Sequence, residues 1–257
     1  MLKAWLAHPL TRDVDIDDPS VTHLRRRIIQ EKPFLRKIYQ EWYTMIGTAL
    51  PMGNEPLLEL GSGAGFMREI IPDLITTEIF YCPNIDAIVD GQCLPFADRS
   101  LRGMVMTDVL HHIPQPRRFF AEATRCVHPG GVIVMIEPWV TPWSRWIYTK
   151  LHHEPFHPHA QAWEFPTTGP LSGANGALPW IIFERDRAQF EQEFPQWHLQ
   201  VIKPFMPFRY LISGGVSMRS LMPGWTFSGW HQLERVFQPW MKSWAMFVQI
   251  VLKKVDG

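Results

Sequence analysis

The chain has 257 residues, with 25 Lys or Arg and 25 Asp or Glu, so its formal net charge is zero. This balance argues against electrostatic binding of nucleic acid by a generally basic surface, and we expect no nucleic-acid partner. Hydrophobic residues make up 46% and charged residues 19%, a composition that excludes a disordered chain and favours a globular one.

Segment lengths and cysteine number favour a cytoplasmic location. The longest late apolar run, Trp244–Leu252, is far shorter than the roughly 20 residues that a membrane-spanning helix needs. The N-terminal apolar stretch is too short and too interrupted for a signal peptide. The cysteines Cys82, Cys93 and Cys126 lack metal-site spacing. We expect no transmembrane segment, while peripheral contact of residues 221–240 with a membrane stays open.

The N-terminal pattern predicts two consecutive helices. Helix-start residues lie at 17–20, and an apolar stripe follows them, is interrupted by Pro33, and resumes until Pro51. Basic residues between positions 25 and 37 make this pair locally positive. The simpler interpretation is a solvated outer face, and the alternative is a cover over an anionic or carboxylate ligand.

The middle of the chain alternates strands and helices. Most of the strands are continuously apolar, which is typical of a parallel sheet covered on both faces. After Glu137 the regularity ends, and we expect two further helices and two further strands. The predicted strands are Pro56–Leu60, Leu74–Ile79, Ala87–Asp90, Gly103–Val109, Val132–Glu137, Leu199–Ile202 and Trp244–Leu252, and the helices are Phe66–Ile71, Phe119–Cys126, Glu184–Phe194 and residues 228–241.

A glycine-rich turn follows the first strand, with the sequence Glu59-Leu60-Gly61-Ser62-Gly63-Ala64-Gly65. Glycines let the backbone turn sharply and approach a ligand closely. A dinucleotide fingerprint reads G-x-G-x-x-G, whereas here the third glycine comes one position early. Glu59 would repel a pyrophosphate but could accept hydrogen bonds from a cationic amine. The spacing therefore argues against a nicotinamide oxidoreductase.

This turn resembles motif I of the class I S-adenosylmethionine-dependent methyltransferases. Three further segments are similar, in the expected order, to the small-molecule branch of that superfamily. They are residues 90–96 (DGQCLPF, similar to G-D-A-x-x-L-P-F), residues 107–112 (TDVLHH, similar to its L-H-H segment) and residues 125–131 (RCVHPGG, similar to R-V-L-K-P-G-G). The resemblance implies a doubly wound, mostly parallel, seven-stranded Rossmann-like α/β fold, with S-adenosyl-L-methionine as cofactor and S-adenosyl-L-homocysteine as product.

The resemblance also implies roles for individual residues. The turn would pass close to the methionine part of the cofactor, with Glu59 fixing the loop and its amine contacts. Glu78 would accept hydrogen bonds from the ribose hydroxyls, although alone it could be a simple helix cap. Asp90 and its neighbours would lie along the edge of the adenine ring, although an Asp-Gly pair alone could be a plain turn. The implied cofactor-binding residues are Glu59, Gly61, Ser62, Gly63, Gly65, Glu78, Asp90, Gly91, Gln92, Thr107 and Asp108.

One departure concerns the connection between the second and third strands. Only Phe80–Asp86 separates them, whereas a parallel crossover usually takes a dozen or more residues. We therefore expect the usual helix to be missing or reduced to a turn. The segment would then pass beside the adenine and ribose and form an unusual adenine wall.

Histidines supply the candidate catalytic groups. His111 and His112 follow the fourth strand, at the edge where open α/β sheets bind ligands, and imidazoles titrate near neutral pH. One of them could instead pack against the sheet and only orient a loop. His153 belongs to a second cluster at residues 152–159. We expect no metal there, because Pro155 and Pro158 force an extended loop without a nearby Cys. The segment could instead face the substrate or be a solvated loop.

Aromatic residues are abundant after strand five, between Trp139 and Phe183, and again between Trp225 and Trp230. They could be ordinary core, or a lid that closes on a lipophilic substrate. Residues 209–215 suggest a turn that returns to the active-site side. We expect a single domain, with 1–55 as a helical cover, 56–138 as the cofactor-binding core, and 139–257 as an aromatic-rich insertion, lid and last strands.

The expected function is methyl transfer by direct displacement from S-adenosylmethionine to a small, apolar or aromatic molecule. The acceptor atom, the substrate and the oligomeric state stay open. The alternative is a non-catalytic module that binds the cofactor or a partner on the same fold.

Overall fold

The structure is a computed structural model, and it describes residues 8–10, 18, 20–152, 154–166, 169 and 173–255. Its centre is one seven-stranded sheet with the order β3-β2-β1-β4-β5-β7-β6. The strands are β1 (Leu57–Leu60), β2 (Leu74–Glu78), β3 (Ala87–Ile88), β4 (Leu101–Thr107), β5 (Val127–Pro138), β6 (Trp197–Phe205) and β7 (Phe247–Lys254).

The strand directions place a ligand site at one edge of this sheet. β1 pairs in parallel with both β2 and β4, and β4 pairs in parallel with β5. β7 runs antiparallel to its two neighbours, β5 and β6. The strand order reverses between β1 and β4, and ligands bind beyond the carboxyl ends of strands at such a switch point. The loops that follow β1, β2 and β4 therefore meet there.

Helices cover the sheet. They are α1 (Ser20–Glu31), α2 (Pro33–Thr48), α3 (Pro116–Cys126), α4 (Pro142–Leu151), α5 (Arg187–Glu193), α6 (Arg209–Ser213) and α7 (Phe227–Val236), with single turns at Leu178–Trp180 and Met241–Trp244. The buried face of α2 anchors the cover, because Trp42 is fully buried and its ring stacks on Tyr210 and contacts Phe247. The N-terminal pair of helices is thus tied to α6 and to β7.

The predicted α/β fold with a seven-stranded, mostly parallel sheet is confirmed, but the predicted helix over Phe66–Ile71 is wrong. Only a 3₁₀ turn, Met67–Glu69, forms there. Pro72 disfavours helical geometry at the residue before it, and three glycines precede the segment, so few residues remain for a helix. The glycine turn consequently ends without the long helix that usually follows such a loop.

The short connection between β2 and β3 lacks a helix, as predicted, whereas the predicted adenine wall of Phe80–Asp86 stays a prediction. Residues 79–86 are described throughout and contain turns but no helix. Asp86 closes the connection, because its carboxylate accepts hydrogen bonds from the backbone N–H of Thr76 at 2.8 Å and from the Thr76 hydroxyl at 3.0 Å. Arg68 also donates to this carboxylate.

The last third of the chain differs in detail from the prediction. The expected helix Glu184–Phe194 is a π-helical turn, Ile181–Arg185, followed by α5. In α7 and in the turns on either side of it, large apolar side chains are exposed, namely those of Trp225, Leu233, Val236 and Trp240. Among the described helices, none has the length and apolar character needed to cross a bilayer. Peripheral membrane contact stays a prediction.

Candidate active site

A cleft of about 380 Å³ opens at the switch point of the sheet. The ends of β1, β2 and β4 form its floor, α1 and α2 form one side, and the segments around α4 and α6 form the other. Of the predicted cofactor-binding residues, those that line the cleft are Glu59, Gly61, Ser62, Gly65, Glu78, Asp90, Gly91, Gln92, Thr107 and Asp108. Gly63 lines an adjacent smaller cavity and contacts Glu78 through its backbone.

The glycine turn is fixed against β2. Gly61 has a φ of +68°, and a Cβ there would collide with Val109. The N–H of Ser62 donates to the carbonyl of Thr77 at 2.8 Å, and the N–H of Thr77 donates to the Ser62 hydroxyl at 3.1 Å. Because the first position is left-handed and crowded, only glycine fits it without strain.

Glu78, at the end of β2, is buried beneath this turn. One carboxylate oxygen accepts a hydrogen bond from the Gly63 N–H at 3.1 Å, and the other accepts from the Ile79 N–H at 2.9 Å. Burial raises the pKa of Glu78, while these two hydrogen bonds oppose that shift. Each carboxylate oxygen has a further lone pair, so a ligand's hydroxyl groups could also bind there.

Two more acidic side chains face the cleft. Burial raises the pKa of Glu59 to about 7, and burial raises the pKa of Asp108 to about 8. Among the described residues, the Thr107 hydroxyl and Oδ1 of Asp108 are buried without a hydrogen-bond partner. Buried acceptors and acids of this kind fit a ligand that brings its own donors and a positive charge, such as the amine of S-adenosylmethionine.

Asp90 and Gln92 form a tight turn after β3. The backbone N–H of Gln92 donates to Oδ1 of Asp90 at 2.8 Å, and its side-chain amide donates to the same oxygen at 3.0 Å. Both residues and Gly91 also line the cleft. The segment can therefore be a simple turn and also lie beside the adenine of a bound cofactor.

A carboxylate lies beside each ring nitrogen of His111. Its Nδ1 lies 2.6 Å from Oε2 of Glu137, and Oε1 of Glu137 accepts the backbone N–H groups of Val109 and Leu110. Its Nε2 lies 3.6 Å from Oε2 of Glu154. Burial alone would lower the pKa of His111, but the hydrogen bond and charge of Glu137, assisted by Glu154, raise it to about 10.

His112 lies against His111 but is neutral. The two ring centroids are 4.3 Å apart, and burial together with the neighbouring His111 charge lowers the pKa of His112 to about 4. Its Nδ1 lies 3.3 Å from the carbonyl of Gly173, and its Nε2 lies 4.0 Å from Oε1 of Glu154. Both histidines line the cleft. The third predicted catalytic residue, His153, lies outside the described residues.

The wall opposite the glycine turn is largely apolar and aromatic. Of the aromatic residues predicted for a lid between Trp139 and Phe183, Tyr148 lines the cleft, whereas Trp139, Trp163 and Phe183 are buried elsewhere in the core. The predicted return of residues 209–215 is confirmed. The apolar side chains of this wall are Ile147, Tyr148, Leu151, Phe156, Tyr210, Leu211, Met246 and Phe247.

The N-terminal helices contribute both a solvated face and a cover. Arg25 lines the cleft, and Arg26 donates to the carbonyl of Gly65 in the glycine turn. Arg27 instead pairs with Glu31 on the exposed face. Lys32 donates to the carbonyls of Ser213, Gly215 and Met218, and so fastens the cover to the loop after α6.

Sequence reasoning missed two acidic residues of the site. Glu137 lies at the end of β5, on the sheet edge predicted to bind ligands, but it received no role because its partner His111 is distant in sequence. Glu154 lies in the histidine-rich segment, where the histidines drew the interpretation away from the acid beside them. A single acid following two histidines, just before Pro155, was the available signal.

A family model described as a methyltransferase domain matches residues 58–135, the segment that contains β1, the glycine turn and most of β5. Residues 58–135 thus match a methyltransferase domain, which supports the resemblance to the class I S-adenosylmethionine-dependent methyltransferase superfamily. The matched residues are the ones that build the floor of the cleft. The cofactor of this superfamily fits the unpartnered acceptors of Thr107 and Asp108.

The relatives found by sequence are similar to part of this chain. An uncharacterised methyltransferase of Mycobacterium tuberculosis is 27% identical over an alignment 134 residues long, which covers 43% of this chain and 53% of the relative. A demethylmenaquinone methyltransferase of Renibacterium salmoninarum is 28% identical over 141 residues, 53% of this chain and 55% of the relative. The chain thus spans about half the length of the curated relatives it matches.

Structural likeness extends further than sequence likeness. The crystal structure of geranyl diphosphate C-methyltransferase from Streptomyces coelicolor, solved with Mg²⁺, geranyl diphosphate and S-adenosyl-L-homocysteine, has a TM-score of 0.53 to this chain. The alignment covers 98% of this chain and 90% of that one at 12% sequence identity. At this identity the likeness describes the fold alone.

Proposed function

We propose that this protein transfers the methyl group of S-adenosylmethionine to a small, apolar or aromatic molecule. The observation that carries the proposal is that one cleft contains both groups of residues. The glycine turn, Glu78 and the buried acids form one half, and the His111–His112 pair with an aromatic wall forms the other. A cofactor held by the first half would present its methyl group toward the second.

The residues of the first half would hold the cofactor as follows. Glu78 would accept the ribose hydroxyls, and the turn after β3 would edge the adenine. Thr107, Asp108 and Glu59 would bind the methionine amine, which would supply the donors that the two buried acceptors lack. When bound, the cofactor supplies an electrophilic methyl group on a sulfonium, so the protein needs only to align an acceptor and exclude water.

The residues of the second half would hold the acceptor. Side chains such as Tyr148, Phe156 and Phe247 exclude water and favour an apolar or aromatic body. The neutral imidazole of His112 provides a polar group beside this wall. We expect the polar end of the substrate, which carries the acceptor atom, to lie near the two histidines.

In this proposal the chain works as a single unit. Residues 56–138 form the cofactor-binding core, residues 1–55 cover it, and residues 139–257 supply the substrate side. The cysteines Cys82, Cys93 and Cys126 are free thiols, which supports a reducing, cytoplasmic location.

The first experiment is a calorimetric titration with S-adenosylhomocysteine. We expect micromolar binding, and we expect Glu78→Ala to weaken it by about 1–3 kcal/mol, because buried hydrogen bonds to the ribose are lost. The control is Glu184→Ala, which removes an exposed carboxylate outside the cleft and should bind normally. Absence of binding to the wild-type protein would refute the proposal.

The second experiment measures turnover. A panel of small aromatic and apolar alcohols, amines and thiols is incubated with S-adenosylmethionine, and formation of S-adenosylhomocysteine is followed. Turnover that depends on one acceptor class supports the proposal and identifies the acceptor atom. Tight cofactor binding without turnover on any class would instead favour a non-catalytic binding module.

A further inference from the structure

We propose that His111, His112 and Glu154 form a binding site for one divalent transition-metal ion such as Zn²⁺. The metal would hold an oxygen donor of the substrate in the cleft. Its role toward the substrate rests on the proposed function, whereas binding of the metal itself does not. One potential ligand atom from each of the three residues lies within 4.8 Å of the others.

The separations are near those of a coordinated ion. Zinc binds imidazole nitrogen and carboxylate oxygen at about 2.0–2.2 Å, so neighbouring ligand atoms in a tetrahedral site lie roughly 3.3–3.6 Å apart. The distance from His111 Nε2 to Glu154 Oε2 is 3.6 Å, and that from His112 Nε2 to Glu154 Oε1 is 4.0 Å. The Glu154 distances are thus close to the range for a coordinated ion, and all three ligand atoms lie within 4.8 Å of one another.

Both imidazoles are oriented as metal ligands are. Nδ1 of His111 is held by Oε2 of Glu137 at 2.6 Å, and Nδ1 of His112 faces the carbonyl of Gly173 at 3.3 Å. A neutral imidazole that donates through Nδ1 to a carboxylate or carbonyl has its lone pair on Nε2, so the metal would take the place of the proton on Nε2 of His111. This outer contact is the one that fixes metal-binding histidines in proteins. Here it directs both Nε2 atoms toward Glu154.

The burial and donor set favour a transition metal over calcium or magnesium. The side chains of the three residues are 2%, 14% and 15% exposed, so the site is shielded from bulk water. Two nitrogen donors and one carboxylate suit zinc and its neighbours, whereas calcium and magnesium prefer oxygen alone. Three protein ligands leave a position open, and all three residues line the cleft, so a substrate oxygen could occupy it.

This site differs from the metal site that the sequence suggested and that we expected to be absent. That hypothesis placed the ligands within residues 152–159, whereas here two of the ligands follow β4. His152 is close, with Nδ1 at 3.7 Å from Oε2 of Glu154, but that nitrogen accepts the backbone N–H of Glu154 at 3.3 Å. The competing occupant of the three-residue site is a proton on Nε2 of His111, which faces Oε2 of Glu154 at 3.6 Å.

The test uses untagged full-length protein that has been stripped with chelator and titrated with Co²⁺ and then Zn²⁺. We expect one equivalent of Co²⁺ to give the visible absorption of a four-coordinate ion, and one equivalent of Zn²⁺ to displace it. We expect His112→Gln and Glu154→Gln each to weaken Zn²⁺ binding at least tenfold. His159→Gln is the matched control, because His159 is an exposed histidine of the same segment.

Each variant is also titrated with S-adenosylhomocysteine, which reports an intact fold and tests the proposed function separately. Normal S-adenosylhomocysteine binding with no stoichiometric metal, or with equal metal affinity in Glu154→Gln and His159→Gln, would overturn the metal site and leave the function standing. Metal binding that His112→Gln abolishes, in a protein that does not bind S-adenosylhomocysteine, would support the site and overturn the function.

Discussion

Nδ1 of His111 and Oε2 of Glu137 lie 2.6 Å apart, and neither side chain is more than 2% exposed. The two residues come from the loop after β4 and from the end of β5, so this contact fixes the loop onto the neighbouring strand. The second carboxylate oxygen accepts the N–H groups of Val109 and Leu110. One buried acid therefore sets both the path of the loop and the orientation of the imidazole.

Replacement of Glu137 should destabilise the fold in a graded way. Glu137→Gln keeps the shape and can still accept the two backbone N–H groups, so we expect a loss of about 1–3 kcal/mol in the free energy of unfolding. Glu137→Ala leaves the imidazole and both N–H groups without their partner, and we expect about 3–5 kcal/mol. Urea unfolding measures both values.

The comparison variant for Glu137 is Glu184→Gln, which changes an exposed carboxylate and should alter stability by less than about 0.5 kcal/mol. Equal stability of Glu137→Gln and Glu137→Ala would contradict the assigned hydrogen bonds. It would mean that the carboxylate is not the acceptor for the loop.

The sheet could be predicted from the sequence because its strands are short, apolar and bounded by turn residues. β4 lies within two residues of its predicted bounds, since its buried residues 103–106 form a continuous apolar run. The absence of a helix after the glycine turn could not be predicted, because the six residues between Gly65 and Pro72 are too few to show a helical spacing of apolar residues. The outcome there depends on packing of Phe66 against Tyr43 in α2.

The candidate site was only partly predictable for a related reason. The glycine turn is a local motif, and the family resemblance that it carries was enough to single out Glu78. Glu137 and Glu154 join His111 through contacts between residues that are 26 and 43 positions apart, and no local pattern encodes that. The cleft wall could not be predicted for the same reason. Tyr210 and Phe247 reach the wall through the packing of α6 and β7 on α2, which no local pattern encodes.

Gly61 should not tolerate a side chain. Gly61→Ala places a Cβ at a φ of +68° and against Val109, so we expect a loss of stability of about 1–2 kcal/mol, together with weaker S-adenosylhomocysteine binding as the turn shifts. Thermal unfolding and calorimetry measure the two effects. In contrast, Gly229 lies within α7 with open space around its Cβ position, so Gly229→Ala should be neutral or stabilise by up to about 1 kcal/mol. Similar behaviour of the two variants would contradict this account of the turn.

Arg209 should be essential for joining the cover to the substrate side. Its side chain is 3% exposed and pairs with Glu234 from α7 at 2.5 Å and with Glu41 from α2 at 2.5 Å. Arg209→Met leaves both carboxylates without their cation, so we expect a loss of about 3–5 kcal/mol.

Arg235→Met is the matched control for Arg209, because it removes an exposed guanidinium of α7 and should change stability by less than about 0.5 kcal/mol. Since Tyr210 and Leu211 follow Arg209 and line the cleft, limited proteolysis of Arg209→Met should cleave first near α6. A stable Arg209→Met protein with unchanged proteolysis would show that apolar packing alone holds this region.

Binding of S-adenosylhomocysteine should release protons near neutral pH. Burial raises the pKa of Glu59 to about 7, above its value in an unfolded chain, so the folded protein without ligand retains this proton as the pH rises from about 4.5 to 7. The ligand's amine is cationic up to about pH 8 and favours the carboxylate form, so it lowers the pKa of Glu59 on binding. Affinity should therefore increase severalfold from pH 6 to pH 7.5.

Calorimetry in buffers of different ionisation enthalpy counts the released protons. Glu59→Gln should remove one of them and flatten the pH dependence, with any remaining release assigned to Asp108, whose pKa burial raises to about 8. Affinity that falls over this pH range, or proton release unchanged in Glu59→Gln, would show that the amine does not bind beside Glu59.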